Sequence, residues 1–130
     1  MINEDKAKEL MEELLPDDPE GMKAMLRDFD VLMMRYDSAI REVRTKLEIL
    51  NDELSLHGQH SPISSISSRR KKPMSILEKL KRYGVEVSLS SIEKNLNDVA
   101  GIRVICSFVD DIYRVARMLI QQDDIRLIQV

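Results

Sequence analysis

Apolar positions along this chain change their spacing several times, and each change marks an element. Phe29, Met33, Tyr36, Ile40, Val43, Leu47, Leu50 and Leu54 recur at alternating intervals of four and three. That a/d-type stripe predicts one long amphipathic helix. Asp18 is placed as its N-cap, with Pro19 at the first helical position and Glu20 in the first turn. His57-Gly58 supplies a stop. Ahead of it, residues 3–15 predict a short acidic helix ended by Pro16.

Residues 58–68 break the periodicity and read as a polar, Ser-rich connection. Pro73 then opens a helix to about residue 83, burying Ile76, Leu77, Leu80 and Tyr83, and Gly84 closes it. Ser90 and Glu93 form a Ser-x-x-Glu capping box for a short helix carrying Ile92 and Leu96. Residues 102–108 predict a strand, with Ile102, Val104, Cys106 and Phe108 on one face. Asp110 or Asp111 opens another helix, with Ile112, Val115, Met118 and Leu119 inward, and residues 125–130 read as a second strand. The fold class is α+β: N-terminal helices including one long one, then the start of a mixed sheet. Two strands leave open edges, so the sheet reads as incomplete. The domain division is an N-terminal helical region, 1–57, and a second region, 58–130.

Composition narrows the class. Hydrophobic residues at 43% and charged residues at 33% suit a globular chain and not a disordered one. No apolar run approaches the ~18 residues that span a bilayer, and the acidic N-terminus has no signal-like apolar segment. A single cysteine, Cys106, excludes an internal disulfide and reads as a strand core residue. The expected location is the cytoplasm, with no membrane contact. His57 and His60 lack further ligands nearby for a metal.

The net charge of −3 conceals an asymmetry. Residues 1–20 are strongly acidic, whereas 68–82 hold Arg69, Arg70, Lys71, Lys72, Lys79, Lys81 and Arg82 against Glu78 alone. Such a block is an anion site or a solvated face, and charge alone leaves both open. Helical spacing puts Ser75, Lys79 and Arg82 on one side, away from the apolar residues.

Two patterns carry chemistry: Arg69-x-Lys71-x-x-x-Ser75 running on to Lys79, and Asp98-x-x-Gly101-x-Arg103 entering a strand. Several cations can hold a triphosphate, and a carboxylate at a strand edge can hold magnesium together with phosphate oxygens. Gly101 would allow a tight turn between helix and strand.

Together, over roughly residues 20–130, these patterns resemble the synthetase domain of the RelA/SpoT superfamily, nearest its small alarmone synthetases. The resemblance implies a nucleotidyltransferase-like sheet and transfer of pyrophosphate from ATP to the 3′-hydroxyl of GDP or GTP. It implies that Arg69 and Arg103 sandwich the adenine of ATP, and that Lys71, Ser75 and Lys79 contact its phosphates. Asp98 becomes the Mg2+ ligand and the catalytic carboxylate. It further implies a homo-oligomer, a tetramer in the family. Residues 1–130 lack the family's guanine-stacking tyrosine loop, its glutamate base and its C-terminal helices, so on this reading the chain is an N-terminal portion with little or no turnover. Arg70 stands where an aliphatic residue is common. The competing reading is a non-catalytic module binding nucleotide or single-stranded RNA through residues 69–82. Against RNA, Tyr83 is the sole aromatic interleaved there.

Overall fold

A computed structural model of the protein describes residues 16–58 and 60–130, together with positions 5, 9 and 12. The acidic helix expected over 3–15 falls, apart from those three positions, outside the described residues. Four helices and two strands follow: α1 Pro19–His57, β1 Ile63–Arg70, α2 Pro73–Tyr83, α3 Leu89–Asn95, β2 Ala100–Cys106 and α4 Val109–Ile120. No helix among the described residues is long and apolar enough to cross a membrane.

Helix α1 starts as its sequence predicts. The Asp18 carboxylate accepts from the Gly21 N–H at 2.7 Å, satisfying one of the donors that a helix start leaves open. A Cβ on residue 21 would lie 2.7 Å from Asp18 Oδ1, so glycine there lets the cap close. The helix runs 39 residues and contributes to two compact units, passing from one to the other after Ser38.

The first unit joins the chain up to Ser38 with Arg69–Gly101. Its core is Leu32 and Met33 of α1, Ile76 and Leu80 of α2, Ile92 of α3, and Leu96 and Val99 beyond it. Ile76, Leu80, Ile92 and Val99 are at most 1% exposed, and full burial of such side chains contributes roughly 1.5–3 kcal/mol each. Tyr83, expected inward, is instead exposed at the end of α2. There Gly84 adopts φ 67, its N–H returns to the Lys81 carbonyl, and the Val85 N–H returns to that of Leu80. This Schellman arrangement requires the left-handed conformation that glycine tolerates. The capping box expected at Ser90 and Glu93 is not the one used. The cap of α3 is Ser88, whose hydroxyl accepts from the Ser91 N–H at 3.0 Å, because Leu89 is drawn into the core and starts the helix earlier.

The second unit joins Ala39–Ser68 with Ile102–Val130. Leu47, Ile63 and Val115 are buried together, flanked by Val43, Leu54, Ile66, Ile102, Val104, Cys106 and Leu119. Here the structure corrects the reading of 58–68 as a plain connection, since Ile63–Arg70 is a strand. Its two isoleucines enter the core, and α1 satisfies its backbone. Asn51 Oδ1 accepts from the Ile63 N–H at 2.9 Å, and Arg44 donates to the Ile66 carbonyl at 3.2 Å. Serines between them face outward, so tertiary context overrides their weak strand preference.

The sheet has the order β1-β2 and is antiparallel. One end is marked by Ser107 N–H to the Pro62 carbonyl at 2.9 Å, the other by Lys71 N–H to the Val99 carbonyl at 2.7 Å. Between them β1 has eight residues and β2 seven, the extra residue that a bulge inserts. The strand expected over 125–130 does not form. Those residues find no ladder partner among the described residues, and Leu127, Ile128 and Val130 are exposed. Phe108, expected to share the inward face of its strand, instead precedes α4 and is exposed, its ring edge-on to His60 at 5.0 Å. Helix α4 turns Asp111 and Val115 inward and leaves Ile112 exposed. The buried Asp111 carboxylate is met by His60 Nε2 at 2.9 Å.

Candidate functional site

Antiparallel pairing decides where the two sequence patterns meet. Strand β1 ends at Arg70 and β2 begins at Ala100, so Lys71 and Val99 become neighbours across the sheet end. Asp98 therefore sits beside Lys71, although the two are far apart in sequence. Lys71 Nζ lies 3.0 Å from Asp98 Oδ2, and Lys79 Nζ, reaching from α2, lies 2.9 Å from the same oxygen. Arg69, Lys71, Asn97, Asp98, Ala100 and Gly101 line a cavity of about 350 Å³ here.

The charges reinforce one another in direction. Asp98 is held below the ordinary carboxylate range, first by the hydrogen bond from Lys79 and then by Lys71, with partial burial opposing. Lys79 is raised, first by the hydrogen bond to Asp98, with Tyr83 adding to it and desolvation opposing. The carboxylate is half exposed, and exposed ion pairs add little to stability. The buried core of this unit outweighs that, so these charges are arranged around the cavity rather than holding the fold.

Arg69, Lys71 and Lys79 together outnumber Asp98, so the cavity favours an anion. Helix α2 begins beside Lys71, and its N-cap, Lys72, makes no side-chain cap bond. Its first-turn N–H groups therefore remain available to an acceptor. Ser75 lies in that first turn, partly buried, outside the six residues lining the cavity. No group of three or more His, Cys, Asp or Glu that could hold a metal occurs among the described residues. A single ionised carboxylate still fits magnesium, which commonly takes one or two carboxylates and completes its shell with water and phosphate oxygens.

Gly101 is not the turn that its place in the motif suggests. It lies within β2, its φ is not positive, and a Cβ there would meet nothing within 4 Å. What its missing side chain preserves is open space in the cavity.

Residues 68–130 match a family model described as a region found in RelA / SpoT proteins. The GTP pyrophosphokinase YwaC of Bacillus subtilis (strain 168) is 35% identical over 111 residues, which is 85% of this chain and 53% of YwaC. A GTP pyrophosphokinase family protein from Streptococcus pneumoniae has a similar structure, with TM-score 0.68, 33% identity, and coverage of 78% of this chain and 49% of that one. The small alarmone synthetase 1 from Bacillus subtilis, bound to its product pppGpp, gives TM-score 0.63 at 35% identity, covering 75% and 49%. The chain belongs to the RelA/SpoT family. It spans about half the length of these relatives.

The family region begins at Ser68, one residue before Arg69, so both patterns lie inside it. Arg103 belongs to the second unit, where alternation along β2 exposes it together with Ile105. Sequence reasoning missed two participants and misplaced one cation. Asn97 lines the cavity. Tyr83 presents its ring to Lys79, with the centroid 5.7 Å from Nζ. Arg70 leaves the basic group altogether, pairing with Asp37 at 2.6 Å and touching Met33 Sδ at 3.2 Å. Strand alternation through 69–71 would have separated Arg70 from its neighbours had β1 been recognised.

Proposed function

We propose that this protein is a cytoplasmic GTP pyrophosphokinase, making alarmone by transferring pyrophosphate from ATP to the 3′-hydroxyl of GDP or GTP. The observation that carries the reading is the convergence of Lys71 and Lys79 on one oxygen of Asp98 beside a cavity lined by Arg69. In the reaction the 3′-oxygen forms a bond to the β-phosphorus of ATP, the bond from that phosphorus to the α,β-bridging oxygen breaks, AMP leaves, and the hydroxyl proton passes to a base. Catalysis of this kind rests on positioning and on neutralising phosphate charge.

Lys71 and Lys79 bind the phosphates as paired cations, and Ser75 adds a hydroxyl donor from the first turn of α2. Asp98, kept ionised by its lysines, is the residue that would hold Mg2+. The metal, when bound with ATP, neutralises phosphate charge as a Lewis acid. Arg69 and Arg103 offer flat guanidinium groups suited to stacking on adenine. Assembly as a homo-oligomer, and residues 58–130 as the first part of the synthetase domain, belong to the same proposal.

Two measurements test it. Calorimetry with a non-hydrolysable ATP analogue and Mg2+ should show binding that Lys71→Met and Lys79→Met each weaken about tenfold or more, as loss of a charge-assisted bond implies. Incubation of a full-length version with ATP, Mg2+ and GDP should yield AMP and guanosine tetraphosphate in equal amounts. A folded chain that binds no analogue would sink the reading.

A further inference from the structure

Among the described residues, Lys79 meets both a carboxylate and an aromatic ring. Its Nζ lies 2.9 Å from Asp98 Oδ2 and 5.7 Å from the centroid of the Tyr83 ring. The second distance is inside the ~6 Å over which an aromatic face attracts an ammonium group. The two residues are four apart on α2, a spacing that stacks side chains on one helix face.

The ring is held at a rigid place. Tyr83 is the last residue of α2, and the chain turns immediately after it at Gly84, closed by the returns to Lys81 and Leu80. Yet Tyr83 is 52% exposed and is not among the side chains packed on the core of its unit. Its contact with Lys79 is therefore not a by-product of core packing, and its replacement leaves that core intact.

A lysine ammonium carries three donors on a flexible stem, free to swing about a single partner. Asp98 alone would leave Lys79 mobile around one oxygen. We propose that Tyr83 is a positioning residue whose ring face fixes the Lys79 ammonium for phosphate binding, an inference that rests on the ATP-site reading above. Tyr83 touches no reacting atom; it acts through Lys79. The hydroxyl also helps to keep Lys79 charged, but it is the ring face that limits where the ammonium sits, so phenylalanine should serve nearly as well.

The test is a double-mutant cycle on affinity for the non-hydrolysable ATP analogue with Mg2+, with melting temperature measured for every variant. Tyr83→Phe should bind within about twofold of the unsubstituted protein, and Tyr83→Leu about two- to fivefold more weakly, the range of an exposed cation–π contact. Lys79→Met should lose more, and the double variant Tyr83→Leu/Lys79→Met should be no weaker than Lys79→Met alone. Additive losses would mean that the ring contacts the ligand directly, and would overturn the inference. So would unchanged binding by Tyr83→Leu, a Tyr83→Phe variant as weak as Tyr83→Leu, or a loss that follows melting temperature across the set. Should Lys79→Met itself bind normally, the ATP-site reading fails and takes this inference with it. If only the Tyr83 variants are silent, the ATP site stands and the positioning role falls.

Discussion

Arg70 Nε lies 2.6 Å from Asp37 Oδ1, and this ion pair divides a basic run that is continuous in the sequence. Arg69 and Lys71 line the cavity, while Arg70 between them turns to α1. Neighbouring cations therefore have separable roles. Arg70→Met should lower unfolding free energy by about 0.5–1 kcal/mol, as a part-exposed pair implies, and leave nucleotide affinity within about twofold. Lys71→Met should do the reverse, with stability nearly unchanged and affinity much reduced. Urea denaturation and calorimetry on both variants check this.

Asp98 holds both ammonium groups that the proposed function assigns to phosphate. On that proposal its negative charge would repel a triphosphate without metal, and would hold the ion with it. Asp98→Asn should therefore bind the ATP analogue about fivefold more tightly in the presence of chelator, the effect of about 1 kcal/mol of removed repulsion. With excess Mg2+ the same variant should bind more weakly than the unsubstituted protein. Equal affinities in both conditions would contradict the assignment.

The same cluster sets a pH dependence. Asp98 is lowered by Lys79 and then Lys71, so its contribution to stability is complete above the unfolded carboxylate value, about 3.9. It is lost as pH falls through the lower folded value. Lys79 is raised chiefly by Asp98, so its contribution is complete below the unfolded lysine value, about 10.4. It is lost as pH rises through the higher folded value. The stability difference between the unsubstituted protein and Asp98→Asn should be flat across neutral pH and shrink at both extremes. Chemical denaturation at a series of pH values reads it directly.

Gly101 leaves room rather than making a turn. Valine at this exposed strand position meets no neighbour within 4 Å at its Cβ, and it suits an extended backbone better than glycine does. Gly101→Val should thus leave melting temperature unchanged or slightly raised. Its branched side chain would stand in the cavity, so affinity for the ATP analogue should fall at least about tenfold. A drop in melting temperature with binding intact would show that the position matters to the strand instead.

Much of the architecture was legible in local pattern. The four-and-three recurrence from Phe29 to Leu54 marked α1, Asp18 its cap, and Gly84 the end of α2. These features depend on neighbours within a turn or two, where side-chain period and capping chemistry suffice. The two charged patterns, Arg69 to Lys79 and Asp98 to Arg103, were also readable, since their residue types and spacing are continuous along the chain.

The pairing of distant segments was not. Ile63–Arg70 looks like a serine-rich connection, and becomes a strand because β2, Asn51 and Arg44 satisfy its backbone and because Ile63 and Ile66 find a core. Residues 125–130 have the composition of a strand but no ladder partner among the described residues, and composition alone cannot supply one. Likewise four consecutive cations from Arg69 to Lys72 look equivalent until strand alternation and Asp37 separate Arg70 from them. Periodicity encodes elements because it is local. Which strands join, and which charges share an oxygen, follows from contacts between residues far apart in the chain, and the meeting of Lys71, Lys79 and Asp98 exists only once the sheet has closed that distance.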